Sequence, residues 1–464
     1  MNRRICFILL ALGMLLAFAS CGQKDKGEGY FVYQAEGEDG EAAAELVVLD
    51  ASGKELRRIA LPGTPVMLSP GWFALRRHAF YQDYSSESSL LVDVTTGTLQ
   101  EFTGYGQAQE MARACGGASG WVALCGDQGV YVLHVDTGEV SEIPVELDAE
   151  NPVQQMYVEL VSPDESYFLL RVRYDLWLVP AATPRNARQL GLKATFSQDS
   201  QFVLYTRDTE TGETQVVKER VDGSATEVLL SGTDIQQAAF IPKRDQLVIV
   251  RRDSVTLFSP DSRTERELFR LEDPVRQMWF DPGGKHAAFG GSGLITGAAE
   301  WKIVDLETGT TKPLDELTGF DQVYGSPSSR WVLLTDEHST TDALRIASLD
   351  LETATARTHL AAQGVTPGSS PFRSITKDGK RGLFVVTRQE SWQLWLVSAE
   401  EEEARLLAEA GLVSGSLSPD GRWAALAVWE KEGEQGKRTV RIVPTSKGEE
   451  KVIGPGLVPV WVGP

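Results

Sequence analysis

A β-propeller of four-stranded blades, about ten of them, is the all-β fold this sequence predicts, and three observations predict it. A unit of about 43 residues recurs ten times along the chain. Most units carry a recognisable turn, and its best copy reads Ser418-Pro419-Asp420-Gly421-Arg422-Trp423. The two ends of the chain hold partial units that complete each other.

The first twenty residues stand apart. Asn2-Arg3-Arg4 precedes an apolar run from Ile5 to Ala19, and Phe18-Ala19-Ser20-Cys21 closes it. About fifteen apolar residues are too few to span a bilayer comfortably. Small residues just ahead of a cysteine have the look of a cleavage site. The segment resembles a bacterial lipoprotein signal, with Phe18 where leucine is commoner. That resemblance implies removal of residues 1–20 and acylation of Cys21; an ordinary secretory signal with an incidental cysteine is the plainer alternative. Gly22 follows the cysteine where aspartate would suggest inner-membrane retention, so the outer membrane facing the periplasm is the expected address. The tether is 21–29. From Gly22 to Gly29 it reaches at most about 28 Å, which holds the propeller, 30–464, close to the membrane.

Strand A of each complete blade precedes the turn, at about residues 65, 110, 156, 194, 237, 277, 322, 372 and 414. In the turn, proline fixes φ, aspartate bonds back to its own backbone, and glycine accepts the positive φ that closes the corner. Degenerate copies stand at Leu68-Ser69-Pro70-Gly71-Trp72, Val161-Ser162-Pro163-Asp164, Phe196-Ser197-Gln198-Asp199, Phe280-Asp281-Pro282-Gly283, Ser326-Pro327-Ser328-Ser329-Arg330-Trp331 and Thr376-Lys377-Asp378-Gly379. Trp72, Trp121, Trp331 and Trp423 then open strand B as packing residues. A second turn follows later in the unit, at Asp93-Val94-Thr95-Thr96-Gly97, Asp136-Thr137-Gly138 and Asp305-Leu306-Glu307-Thr308-Gly309. The first turn resembles that of the TolB-like, or PD40, propeller repeat. This likeness runs from about Tyr30 to the C-terminus and implies the fold; it leaves the activity open.

The remaining blade is split. Tyr30–Tyr33, Leu46–Leu49 and Leu56–Leu61 supply three strands with no strand A before them. Val458-Pro459-Val460-Trp461-Val462 is a lone strand at the other end. Pairing the two closes the ring and removes both open edges. Two smaller propellers in one chain are the alternative; the stitched ends favour one ring. Up-and-down strands put A–B and C–D turns on one face, B–C and D–A connections on the other. The B–C connections at 36–44, 82–89, 290–299, 336–342 and 430–437 are long and irregular, and several are acidic (Glu36, Glu38, Asp39 and Glu41; Glu430, Glu432 and Glu434). Irregular loops on a rigid scaffold are where recognition concentrates, so this face is expected to meet a partner.

Net charge is −20, or −22 once Arg3 and Arg4 leave. That balance argues against nucleic acid and against direct adhesion to anionic lipid. Cys115 and Cys125 remain in an oxidising compartment. With Gly116–Gly120 as a hairpin loop, Cys115 pairs with Trp121 and Cys125 lies too far along the strand to bridge, so free thiols are expected unless the register differs.

Catalytic groupings are not legible. The five histidines (His78, His134, His286, His338 and His359) are scattered, which argues against a metal centre. No Gly-x-Ser-x-Gly elbow appears, and Gly290-Gly291-Ser292-Gly293 lacks the lysine of a phosphate loop. One pattern stands out. Gln237, Gln277 and Gln322 occupy the same strand A position in three successive blades, with Arg276 and Asp321 beside them. They form a candidate binding arc at the channel mouth, for a sugar, a peptide strand or a partner's loop; water-satisfied amides are the plain alternative. The expected function is a non-catalytic, lipid-anchored envelope scaffold without cofactor, touching the membrane through its anchor and envelope proteins through its loop face. A sensor or enzyme acting on a carbohydrate or peptide in the channel is the second reading.

Overall fold

The computed structural model describes residues 30–36, 42–61, 69–70, 77–83, 88–103, 107–109, 120–126, 129–145, 156–291, 300–325, 329–336, 343–365, 372–376, 378–388, 391–418, 420–430 and 436–462. Ten four-stranded antiparallel sheets make up the fold. Blade 1 takes Gly456–Val462 as strand A, Tyr30–Glu36 as B, Ala42–Leu49 as C and Glu55–Ala60 as D. Tyr30 stands opposite Val462, Phe31 opposite Trp461 and Val32 opposite Val460. The expected stitching of the two ends is therefore present. Blades 2 to 10 each use four consecutive strands, with strand A starting at Ser69, Gln107, Met156, Lys193, Ile235, Val275, Gln322, Phe372 and Leu412.

The hydrophobic core shows that the ring is single and closed. It divides into ten clusters, each shared by two neighbouring blades, and an open row of ten blades would have one fewer interface. Phe31, Val47, Val440 and Ile442 join blade 10 to blade 1, and Val32, Val48, Ala79 and Val92 join blade 1 to blade 2. Because both faces of a blade are covered, the middle strands read as continuous apolar runs. In blade 6, strands Leu247–Arg251 and Ser254–Ser259 are almost wholly buried, whereas strand D, Thr264–Arg270, is mostly exposed. Neighbouring strands A touch one another, which puts them innermost, and strand D forms the rim.

The A–B turn depends on two side chains acting together. Ser418 Oγ accepts from the Trp423 amide and donates to Asp420, whose carboxylate accepts from the Arg422 amide. Ser162 with Asp164, Ser197 with Asp199 and Thr376 with Asp378 repeat the arrangement. Backbone bonds closing these four turns measure 2.8 to 3.0 Å. Ile241 occupies the hydroxyl position in blade 6, and there the same bonds lengthen to 3.4 and 3.2 Å. The corner residue takes positive φ: Gly421 at 67°, Gly379 at 70°, but also Glu165 at 60° and Ser200 at 59°.

Blade 2 corrects one expectation. Ser69 and Pro70 pair with Gln82 and Tyr81 as strand A, and strand B begins at His78. Trp72 lies outside the described residues; Trp121, Trp331 and Trp423 each open strand B. In blade 3, Gln107 stands opposite Cys125, whereas a five-residue loop at Gly116–Gly120 would put Met111 there. Cys115 lies outside the described residues, as do residues 1–29 and Cys21.

C–D turns are organised by aspartate. Asp93, Asp305 and Asp350 each accept two backbone amides from the turn they open. The turns are then latched across the ring. Arg57 donates to Thr95 O, Gln100 to Gly138 O, Arg266 to Leu306 O, Lys312 to Ala354 O, Arg357 to Glu401 O and Arg405 to Pro444 O. Each donor sits on strand D and reaches the C–D turn of the next blade. Lys451 to Ser52 O, 2.8 Å, carries the pattern across the seam from blade 10 to blade 1.

Candidate functional site

Strand A positions the polar groups that the channel wall presents. Lys193, in blade 5, occupies the position that Gln237, Gln277 and Gln322 hold in blades 6, 7 and 8, four residues ahead of the turn. Sequence reasoning missed Lys193 because the residue type changes while the position does not. Lys193 Nζ meets Gln237 Oε1 at 3.4 Å, and Gln277 Nε2 donates to the Asp321 carbonyl at 3.2 Å. The arc is thus linked from blade to blade in two segments, 5–6 and 7–8. Gln322 and Asp321 also have partners of their own. Gln277 Oε1 is buried with no hydrogen-bond partner.

Bulges aim the neighbours of these positions. The strand A register slips between Val158 and Leu160, Ile235 and Gln237, and Val275 and Gln277. Glu159, Gln236 and Arg276 are the extra residues, and a bulge re-aims the side chain it carries. Arg276 is exposed and forms no hydrogen bond or ion pair among the described residues. Glu159 is held by Arg171, Nε at 2.7 Å and Nη2 at 2.6 Å. Burial holds the Glu159 carboxyl above its ordinary range despite that partner. Burial also lowers Lys193, whose charge is opposed by Arg171 and favoured by Glu159. Lys193 is exposed.

Arg171 does more than neutralise Glu159. Its Nη1 donates to the Tyr174 carbonyl at 3.1 Å and its Nη2 to the Leu192 carbonyl at 2.6 Å. It so pins the B–C hairpin and the D–A connection of blade 4 to each other. Tyr174 on that hairpin is 83% exposed and Leu192 45% exposed, an apolar pair held in place beside Lys193. Similar pins occur elsewhere on this face. Arg251 joins Asp234 and Glu265, and Arg345 joins Asp336 to the Thr318 carbonyl. Glu430 is held by Arg441; the other acidic loop residues named above, Glu38, Asp39, Glu41, Glu432 and Glu434, lie outside the described residues.

Two other places were candidates for chemistry. A cavity of about 310 Å³ opens at the seam, lined by Tyr33, Glu45, Glu55, Arg58, Ile453 and Pro455. Arg58 bridges Glu45 at 2.6 Å and Glu55 at 2.9 Å, so its charges are already matched. Ser348 Oγ lies 2.7 Å from His359 Nε2, but both side chains are buried and no substrate reaches them. Among the described residues, no three His, Cys, Asp or Glu side chains are grouped to hold a metal ion. No helix among them is long and apolar enough to cross a membrane.

No protein-family model matches this chain, and no curated protein does. Solved structures of similar fold include a eukaryotic initiation factor, 11% identical, with a TM-score of 0.48 over 94% of this chain and 98% of that one. An oligogalacturonate lyase in complex with manganese is 12% identical, with a TM-score of 0.43 over 74% and 96%. TolB from Acinetobacter baumannii is 17% identical, with a TM-score of 0.30 over 66% and 81%. TolB proteins and other propellers are therefore among the folds this ring is similar to.

Proposed function

We propose that this chain is a lipid-anchored, non-catalytic scaffold of the cell envelope that binds protein partners through its B–C/D–A face. One observation carries the reading. The described chain enters at Tyr30, the first residue of strand B, opposite Val462, the last of strand A. Both lie at the A–B/C–D end of blade 1. An anchor at Cys21 with a tether of eight residues therefore draws the turn face toward the lipid. The loop face, with its pinned Tyr174 and Leu192, then points into the periplasm. Ionised turn aspartates keep that face from adhering: Asp93, Asp164, Asp305 and Asp420 are all held below the ordinary carboxylate range. Their charge repels anionic headgroups, so the tether rather than the surface makes the membrane contact.

Crosslinking and affinity capture of the tagged, lipidated protein in cells, read by mass spectrometry, is the test. A stoichiometric envelope protein should be captured, and Tyr174→Ser with Leu192→Ser should release it. Capture that survives those changes, or capture of nothing, sinks the scaffold reading. The anchor has its own check: Cys21→Ser should abolish incorporation of labelled fatty acid.

A further inference from the structure

We propose that the arc from Lys193 to Arg276 binds an acidic oligosaccharide, its carboxylates on the two cations and its hydroxyls on the glutamine amides. In a chain of net charge −20, two cations at a channel mouth without carboxylate partners are against the background. The nearby Glu159 is taken by Arg171 in two bonds, so that pair is neutral and the two free cations remain. Lys193 Nζ has one long contact, with an amide oxygen, and no carboxylate within ion-pair distance among the described residues. Arg276 has no partner there at all. An ammonium or guanidinium left unpaired in a partly enclosed site gains most from an anion supplied by a ligand.

The amides choose between classes of anion. Gln237, Gln277 and Gln322 repeat one functional group at one position in consecutive blades. Each carries a donor and an acceptor, which is what a hydroxyl needs on both sides. A ligand with a repeating unit of hydroxyls and carboxylates fits a wall of repeating amides better than a peptide, whose side chains vary. Tyr174, 83% exposed and tied through Arg171 to Leu192, the residue before Lys193, offers a ring on which a sugar face can rest. This site shares Tyr174 with the scaffold reading, but one is read by sugar binding and the other by partner capture, so either can fail alone.

Calorimetry of the full-length protein decides it, with short uronic-acid oligosaccharides, the same chains after carboxyl reduction, and hexaglutamate. The acid chains should bind, weaken with added salt, and lose at least about tenfold in affinity on carboxyl reduction. Lys193→Gln and Arg276→Gln should each cost roughly tenfold, the loss of one charge-assisted hydrogen bond. Lys193→Arg should retain binding, and each variant should keep the parent melting temperature. Equal affinity for reduced chains, indifference to Lys193→Gln, tighter binding of hexaglutamate, or no binding of any sugar at millimolar concentration would each overturn the proposal.

Discussion

The two faces of this ring are stabilised by different chemistry. On the turn face, serine, threonine and aspartate knit several of the described turns to themselves, and strand D donors latch C–D turns to the blade before them. On the loop face, single arginines such as Arg171 and Arg345 tie separate connections to one another. Local, repeated bonding leaves little room for variation. Long-range pins leave the loops between them free to differ, and exposed Tyr174 and Leu192 stand on that side. Self-bonded turns thus mark one face and the proposed recognition lies on the other, and each prediction sets one face against the other.

The largest expected effect lies on the turn face. Gly379 has φ of 70°, and a Cβ there would meet the Trp331 carbonyl oxygen of the preceding blade at 2.2 Å. Gly379→Ala combines left-handed strain with a backbone clash, and should cost about 3 kcal/mol by chemical denaturation. Partner capture by the loop face should persist wherever the variant is folded; its loss would mean the faces are coupled.

Acid should act next, again from the turn side. His359 sits under the Arg357–Glu401 latch, 6% exposed, and burial lowers it to about 4 from 6.5. The unfolded chain therefore takes up this proton first. Stability from the neutral ring is intact above pH 6.5 and is lost as pH falls toward 4, by about 2–3 kcal/mol. His78, also lowered by burial, adds to the same window. The turn aspartates respond only further down, since their carboxyls lie below the ordinary range. Melting temperature measured between about pH 7 and 4 should fall, and His359→Gln should flatten much of that slope. An unchanged slope would leave His359 no part in it.

On the loop face, Arg171→Met removes the partner of a partly buried carboxylate and frees two carbonyls. A cost of about 2 kcal/mol is expected, below that of a fully buried pair. Hydrogen exchange should quicken at Tyr174 and Leu192, while the Ser162 and Glu165 amides keep their protection. Quickening at both would erase the contrast between the faces.

Strand order, blade number and the stitched seam were legible because period and turn chemistry agree. The failures have physical causes. Ser69-Pro70 looks like the turn, but Gly71 stands where the aspartate must receive the serine hydroxyl, and the pair joins strand A instead. The latches could have been read: Gln100, Lys312 and Arg357 each come three residues after the positive-φ residue of a C–D turn, at Gly97, Gly309 and Ala354. Strand D is rich in exposed polar residues, so those donors did not stand out from their neighbours. The glutamine arc was found by position, and Lys193 and the Arg171 pin were hidden, one by a change of residue type, the other by contacts between separate connections.

Ala354 gives the smallest and most informative change. It holds φ of 56° where Gly97 and Gly309 hold the same corner in blades 2 and 7. An L-residue in that region is strained by roughly 1–2 kcal/mol, whereas glycine costs chain entropy of roughly 0.5–1 kcal/mol. Ala354→Gly should therefore gain about 0.5–1 kcal/mol in stability, read from the denaturant midpoint. Its carbonyl accepts from Lys312 at 3.2 Å, so a relaxed corner should keep the latch. A double variant with Lys312→Met tests that: if turn and latch are separate devices, the two effects add. If Ala354→Gly gains nothing until Lys312 is removed, the latch is what holds the corner in its strained form, and the turn face is stabilised by its neighbours more than by itself.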